Sequence, residues 1–185
     1  MTLNLSFRRA LLADASAIVS LVNSAYRGEA SRKGWTTEAD LLEGARTDSA
    51  EINELISSDG SVFLLAEMAA NHDVQATIIG SVHLSKTEDE GECAGSFSMF
   101  AINPDSQAGG IGKKMMHEAE RFVQHEWGAR KMVMEVIPVR HELIAFYERR
   151  GYQLTGKVKP FPVNPALWSP KASALQLARM EKRLA

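Results

Sequence analysis

The chain has 185 residues, of which 45% are hydrophobic and 24% are charged, as is ordinary for one soluble globular domain over 1–185. The formal net charge of −2 argues against a nucleic-acid-binding protein, which would show a basic excess or stripe. Cys93 is the only cysteine, so no internal disulfide can form. The chain has no run of about eighteen apolar residues and no apolar signal core at its start. A cytoplasmic protein is therefore expected, with no membrane partner.

Apolar periodicity predicts the elements in chain order. The first half contains a strand at 5–9, a helix beginning at Asp14, further helix starts at Thr37 and Asp48, and strands at 62–66 and 76–84. The second half contains a strand at 93–102, a helix at 110–128, a strand at 132–136, a helix at 141–150, and strands near 152–157 and 174–183. This order predicts an α+β fold, in which helices flank a mixed, mostly antiparallel sheet.

The most informative segment lies between the strand at 93–102 and the helix at 110–128. Gly109, Gly110 and Gly112 follow a proline turn, and Lys113 and Lys114 come next. Glycine tolerates positive φ and lets the backbone approach a ligand closely. The start of a helix adds unpaired N–H groups and the positive end of its dipole. We therefore expect an anion site here, for a phosphate or pyrophosphate.

The spacing of this segment excludes two common phosphate loops. A Walker A loop needs glycine at 107 and Ser or Thr after the lysine, whereas the chain has Gln107 and Lys114. The dinucleotide fingerprint needs Gly or Ala where Met115 stands. The pattern that remains is Gln-x-x-Gly-x-Gly, formed by Gln107, Gly110 and Gly112. A nucleotide-phosphate site and a glycine-rich helix start without ligand stay as alternatives.

A second segment, Ala-Phe-Tyr-Glu-Arg-Arg-Gly-Tyr at 145–152, ends the helix at 141–150. Together, the two segments resemble the GNAT superfamily of acyl-CoA-dependent N-acyltransferases. The resemblance implies a GNAT-like fold with acetyl-CoA as acyl donor. It also implies direct transfer to a primary amine within a ternary complex. The acceptor expected first is a small metabolite, an amino acid or a polyamine-like compound. The alternatives are a protein N-terminal acetyltransferase and a non-catalytic acyl-CoA-binding regulatory module.

The resemblance also implies where acetyl-CoA binds. In the family, the strand before the loop grips the pantetheine arm and supplies a backbone N–H for the oxyanion. Arg140 stands where the family commonly has asparagine, and it could pair with a phosphate or face water. The residues expected at the cofactor are Phe100, Ala101, Ile102, Gln107, Ala108, Gly109, Gly110, Ile111, Gly112, Lys113 and Arg140.

Two residues are expected to move protons. Tyr147 holds the family position of the acid that protonates the leaving thiolate, although its apolar spacing also suits a core tyrosine. Glu135 lies within an apolar strand, where partial desolvation would favour a role as general base through water. The alternative is that Glu135 faces solvent or pairs with an arginine. Glu67 and Glu92, which also lie near strand ends, are rival bases.

The acceptor site is expected beside the first helix. Trp35 could pack over the acceptor and Glu38 could attract a cationic amine, with Tyr26 as a further candidate. The alternative is that Trp35 anchors the loop and Glu38 is a solvated cap. The five histidines show no metal-ligand spacing, so no metal is expected. No nucleic acid is expected as a partner, and a homodimer is suggested only by analogy with similar folds.

Overall fold

The computed structural model describes residues 4–69, 76–107, 109–171 and 174–185. Its strands are β1 Asn4–Arg9, β2 Leu42–Gly44, β3 Ser61–Ala69, β4 Thr77–Asp89, β5 Glu92–Ile102, β6 Lys131–Val136, β7 Gln153–Pro160, β8 Trp168–Pro170 and β9 Gln176–Arg183. Its helices are α1 Ala15–Tyr26, α2 Gly28–Ser31, α3 Ser49–Ser57, α4 Ile111–Trp127 and α5 His141–Glu148, with 3₁₀ turns at Leu12–Asp14 and Pro104–Ser106. In these ranges, no helix combines the length and the apolar character needed to cross a membrane.

The main sheet has seven strands in the order β1-β3-β4-β5-β6-β9-β7. Every neighbouring pair is antiparallel except β5 and β6, which run parallel. A parallel pair needs a long crossover connection, and α4 supplies it. The predicted α+β fold with a mixed, mostly antiparallel sheet is confirmed.

Apolar side chains cover both faces of the central strands, and both faces are buried. On one face, α4 packs Met115, Ala119 and Val123 against the strands. On the other face, Ile18 of α1 and Ile52 of α3 belong to a second apolar cluster. Because successive strand residues point to opposite faces, the sheet separates two cores. The functional site lies where this sheet is interrupted.

The segment between α1 and α3 differs from the sequence-based prediction. The predicted helix start at Thr37 is wrong, since the chain makes a turn in which Leu41 N donates to Glu38 O. Leu42–Gly44 then pairs with Trp168–Pro170 in a separate two-stranded sheet. Strands of three residues are too short to show a period of two. Their pairing depends on the fold rather than on local sequence.

Candidate active site

The strands β5 and β6 separate at the centre of the sheet. They pair only from Ala94 with Lys131 to Phe97 with Met134. On its other edge, β5 carries a bulge, because its pairing with β4 shifts by one residue between Ser98 and Ala101. Bulges bend a strand and interrupt its ladder. As a result, Met99 and Phe100 have no register partner on either neighbouring strand within the described residues.

Met99 has a φ of 45°, in the left-handed region that non-glycine residues seldom occupy. Strained backbone of this kind tends to occur at functional sites. The bulge leaves main-chain groups of Met99 and Phe100 at an opening in the sheet. The oxyanion donor was expected at 100–102, and of these residues only Phe100 lies at the bulge. Ala101 and Ile102 pair with Ser81 and Gly80 of β4.

Two cavities meet at this opening. The larger cavity, of about 430 Å³, lies over the splayed strands on the side of α1. The smaller cavity, of about 120 Å³, lies between the bulge, the start of α4 and α5. The residues that line both cavities are Tyr26, Phe100, Arg140, Leu143 and Tyr147. A ligand in either cavity would therefore reach the same few side chains.

The glycine turn (residues 107 and 109–113) borders the smaller cavity through Gln107, Gly110, Gly112 and Lys113. Gly109 and Gly110 have φ values of 82° and 73°, a conformation that favours glycine, and Gly110 is the N-cap of α4. The N–H groups of 109–113 donate to no other residue in the described parts of the chain. A Cβ added at Gly112 would lie 3.5 Å from Phe100 and 3.8 Å from Phe146. Main-chain donors thus border a space that side chains have left open.

Not all of the expected cofactor residues face the smaller cavity. Those that line it are Phe100, Ile102, Gln107, Gly110, Gly112, Lys113 and Arg140. Ala101 and Ile111 are buried in the two cores, so their side chains cannot meet a ligand. Gly109 does not line the cavity, and Ala108 lies outside the described residues. Only part of the predicted set is brought together.

The Gln107 side chain is already bound within the protein. Its Oε1 accepts a hydrogen bond from Trp35 N at 3.0 Å, and its Nε2 donates to Ile102 O at 3.3 Å. It therefore ties the loop after α2 to the end of β5. Arg150, which the sequence reasoning missed, also lines this cavity. Its guanidinium lies 3.4 Å over the Phe146 ring, and burial lowers its pKa.

Arg140 and Glu38 bind each other beside the cavities. Glu38 is 6% exposed and accepts a hydrogen bond from Arg140 Nη1 at 2.6 Å and another from Arg27 Nη1. Arg140 also donates to Thr36 Oγ1 at 3.0 Å. Buried charges need such partners. Glu38 is thus a buried ion-pair partner rather than a solvated cap. Arg140 is held by Glu38 and Thr36 while it lines both cavities, and its role at the cofactor stays a prediction.

Tyr26 and Trp35 both line the smaller cavity, but only Tyr26 also lines the larger one. Tyr26 lines both cavities, and its hydroxyl donates to Phe100 O at 3.1 Å. Trp35 lines only the smaller cavity, with its ring 5.3 Å from that of Phe146. The prediction that Trp35 covers the acceptor is therefore not supported by its position. Trp35 borders the cavity at the glycine turn.

Tyr147 is both a core residue and a cavity residue. It is 5% exposed, and its ring packs edge-on against Phe97, as the core alternative predicted. It also lines both cavities, and its hydroxyl makes no hydrogen bond to any described residue. Burial raises the pKa of Tyr147 well above its ordinary value. The phenol therefore keeps its proton at neutral pH.

The three candidate bases are in different surroundings. The Glu135 side chain is 40% exposed and pairs with Lys159 at 2.7 Å, so the expected desolvation is wrong. Its strand face opens into the larger cavity, which it lines. Glu67 pairs with Arg8 and Glu92 pairs with Arg183, and neither lines a cavity. Of the three candidates, only Glu135 therefore faces one of the two cavities.

A chain of hydrogen bonds that the sequence reasoning missed reaches the larger cavity from behind the sheet. Ser98, which lines the cavity, is 2.9 Å from His83 Nδ1, and Ser61 Oγ is 2.8 Å from His83 Nε2. Because Ser61 donates to Leu55 O, the network assigns the ring proton to Nε2 and makes Nδ1 the acceptor from Ser98. Burial lowers the pKa of His83 to about 4, so the ring is neutral. Ser98 thus has a proton acceptor behind it.

The described residues contain no group of three or more His, Cys, Asp or Glu side chains that could hold a metal ion. His72 lies outside them. The site is built from main-chain donors, a buried tyrosine and a set of charged side chains, all around one opening in the sheet. This arrangement can hold an anionic ligand at the glycine turn and a polar ligand over the splayed strands.

Comparisons with known proteins point to one family. The model of the acetyltransferase (GNAT) family matches residues 20–152. Among curated proteins, none matches this chain. The solved structures similar to it include a GNAT-family acetyltransferase from Streptococcus pneumoniae, with 17% identity and a TM-score of 0.63. That match covers 98% of this chain and 100% of the other.

Two further similar structures contain coenzyme A or acetyl-CoA. One is spermidine N-acetyltransferase from Vibrio cholerae in complex with CoA and spermine, at 19% identity and a TM-score of 0.66, covering 97% of this chain and 95% of that one. The other is yncA from Salmonella typhimurium with its cofactor acetyl-CoA, at 18% identity and a TM-score of 0.66, covering 98% and 95%. At these identities, the likeness concerns the fold.

Proposed function

Since this chain belongs to the GNAT acetyltransferase family, we propose that it transfers an acetyl group from acetyl-CoA to the primary amine of a small molecule. The observation that carries the proposal is the opening between β5 and β6, where two cavities share Tyr26, Phe100 and Tyr147. A thioester entering from one cavity and an amine from the other would meet there. Direct transfer in a ternary complex needs no covalent intermediate on the protein.

The smaller cavity is the proposed site of acetyl-CoA. The N–H groups at 109–113 would donate to its pyrophosphate at the start of α4, where the helix dipole favours anions. Lys113 and Arg150 line the same cavity and add positive charge. The binding of coenzyme A or acetyl-CoA by similar structures supports this assignment. The bulge at Met99 and Phe100 would place main-chain groups beside the thioester.

The chemistry requires two proton transfers. As the amine nitrogen bonds to the thioester carbon, it must lose a proton, for which we propose Glu135 acting through a water molecule as base. As the carbon–sulfur bond breaks, the thiolate takes a proton, for which we propose the Tyr147 hydroxyl. A backbone N–H at the bulge would stabilise the oxyanion in between. A cytoplasmic location and a homodimer stay predictions.

The test is release of free coenzyme A thiol from acetyl-CoA in the presence of amines: amino acids, polyamines and a peptide with a free N-terminus. We expect turnover with a small amine, and we expect Tyr147→Phe to lower kcat by about 100-fold while the KM for acetyl-CoA changes little. Phenylalanine lacks the hydroxyl that donates the proton but keeps the buried aromatic ring.

Tyr152→Phe is the matched control, because the Tyr152 hydroxyl bonds Glu120 and lines neither cavity. Its kcat should stay within about twofold of wild type. Equal losses in both variants would point to packing rather than to a proton donor. Tight acetyl-CoA binding without turnover on any amine would favour the regulatory module, and turnover on the peptide alone would favour N-terminal acetylation.

A further inference from the structure

The larger cavity carries an uncompensated positive charge. The cationic side chains that line it are Arg27, Arg46, Arg140, Lys159 and Arg179. Four of them have a carboxylate partner: Arg27 and Arg140 share Glu38, Lys159 pairs with Glu135, and Arg179 pairs with Asp89. The guanidinium of Arg46 has no ion pair or hydrogen bond within the described parts of the chain. One acidic residue that lines this cavity, Glu88, also has no ion pair within the described parts of the chain, and it lies exposed near the end of β4.

The backbone around Arg46 is held from two sides. Its N–H donates to Asn23 Oδ1 of α1 at 2.6 Å, and Asn23 Nδ2 donates to Thr47 O at 3.0 Å. The preceding residue, Ala45, donates to Leu167 O at 2.8 Å beside the small sheet. The segment that carries Arg46 is therefore fixed before any ligand binds. Pre-organisation of this kind lowers the entropy cost of binding.

Arg46 lies close to the reaction centre through Tyr26. Its guanidinium carbon is 5.8 Å from the centre of the Tyr26 ring, and that of Arg140 is 6.0 Å from it. The hydroxyl of the same tyrosine donates to Phe100 O at the bulge. One tyrosine ring thus separates Arg46 from the strand position at which the thioester is proposed to lie. A ligand bound to Arg46 would extend along Tyr26 towards that position.

Arg27 adds buried donors to the same end of the cavity. It is 6% exposed, and its Nε and Nη2 atoms are buried without a hydrogen-bond partner among the described residues. Buried polar groups are normally satisfied. The arginine cluster (Arg27, Arg46 and Arg140) therefore holds three positive charges against the single carboxylate of Glu38. An anion would compensate this cluster, whereas a second cation would be repelled by it.

From this geometry, and resting on the function proposed above, we propose that the acceptor is an amino acid whose carboxylate binds the arginine cluster, with Arg46 as its principal anchor. The planar guanidinium fork matches a carboxylate, and charge-assisted bonds to it are strong. The amine of the same molecule would then face the bulge. The cluster disfavours polyamines, whose additional positive charges would meet it.

The experiment compares each amino acid with the amine that differs from it only by loss of the carboxylate. The pairs are methionine with 3-(methylthio)propylamine, phenylalanine with phenethylamine and lysine with cadaverine. For wild type, we expect kcat/KM to be at least about tenfold higher for the amino acid of an accepted pair, because the cluster binds its carboxylate. Arg46→Gln should bring this ratio close to one and leave the KM for acetyl-CoA unchanged.

Arg121→Gln, on the exposed face of α4, is the matched control and should keep the wild-type ratio. Stabilisation of Arg46→Gln by acetyl-CoA, measured by thermal shift, shows whether that variant is folded. Equal or higher kcat/KM for the decarboxylated amines in wild type would overturn the inference, although acetyl transfer itself would stand. This comparison requires only the wild-type protein. An unchanged ratio in folded Arg46→Gln would also overturn it. Lack of turnover with every amine would instead overturn the proposed function.

Discussion

The two cavities at the centre of this protein are built in different ways. The smaller one is bordered by the glycine turn, where Gly110 and Gly112 bring the main chain to the cavity without a side chain. The larger one is lined by side chains from several elements that are distant in sequence. Arg46 follows β2, Ser98 belongs to β5 and Arg179 belongs to β9.

This difference determines how each cavity chooses its ligand. Main-chain donors at a helix N-terminus recognise a phosphate in any molecule that carries one, so the smaller cavity suits a carrier common to many reactions. Side chains can be exchanged one at a time without disturbing the turn. Under the proposed function, the larger cavity is therefore the one whose side chains would select the acceptor. Substitutions in the two cavities should therefore impair different properties of the protein.

The largest expected effect is a loss of protein stability when the larger, side-chain-lined cavity is altered. Glu38→Gln leaves Arg27 and Arg140 buried without a charge partner, and removing one partner of a buried ion pair typically costs about 3–5 kcal/mol of unfolding free energy. Denaturant unfolding followed by circular dichroism measures it. Asp40→Asn is the control, because Asp40 pairs with Arg32 at the surface, where an ion pair is screened by solvent and its loss should change stability far less than Glu38→Gln does. Equal stability of wild type and Glu38→Gln would contradict the view that Glu38 holds the cluster together.

The next largest expected effect is a loss of acetyl-CoA affinity at the smaller cavity. Protein stability should stay nearly unchanged. Gly112 does not have a positive φ, so a side chain fits the backbone there, but it points at Phe100 and into the cavity. We expect Gly112→Asp to raise the Kd for acetyl-CoA by about 100-fold, or ~2.7 kcal/mol, through steric block and like-charge repulsion. Isothermal titration calorimetry measures it.

Gly112→Ala should lie between wild type and Gly112→Asp, because it adds bulk without charge. His117→Asp, on the exposed side of α4, adds a carboxylate to the same helix and should keep the wild-type affinity. If Gly112→Asp binds acetyl-CoA as tightly as His117→Asp does, acetyl-CoA does not lie at the glycine turn.

The same difference explains what could be predicted from the sequence. The glycine turn was found because its conformation demands glycine at fixed spacing, and the sheet because its strands show clear apolar patterns. The arginine cluster depends on how segments distant in sequence come together, and the bond from Ser98 to His83 depends on the pairing of β4 with β5. No local pattern in the sequence predicts either. Glu38 and Arg140 were expected near the site, but their ion pair was not predicted, because it joins residues 102 positions apart.

The smallest expected effect distinguishes two routes for the proton of the amine. Glu135 lines the larger cavity, yet it is partly exposed and paired with Lys159, whereas Ser98 reaches the neutral His83. If Glu135 is the base, Glu135→Gln should lower kcat about tenfold at neutral pH, or ~1.4 kcal/mol. It should also remove the acid limb of the pH–rate profile, because an amide cannot take a proton.

Glu92→Gln, outside both cavities, should retain that limb. A retained limb in Glu135→Gln, together with a tenfold loss in Ser98→Ala, would move the base from Glu135 to the pair of Ser98 and His83, and the acceptor amine would then lie on the β5 side of the opening.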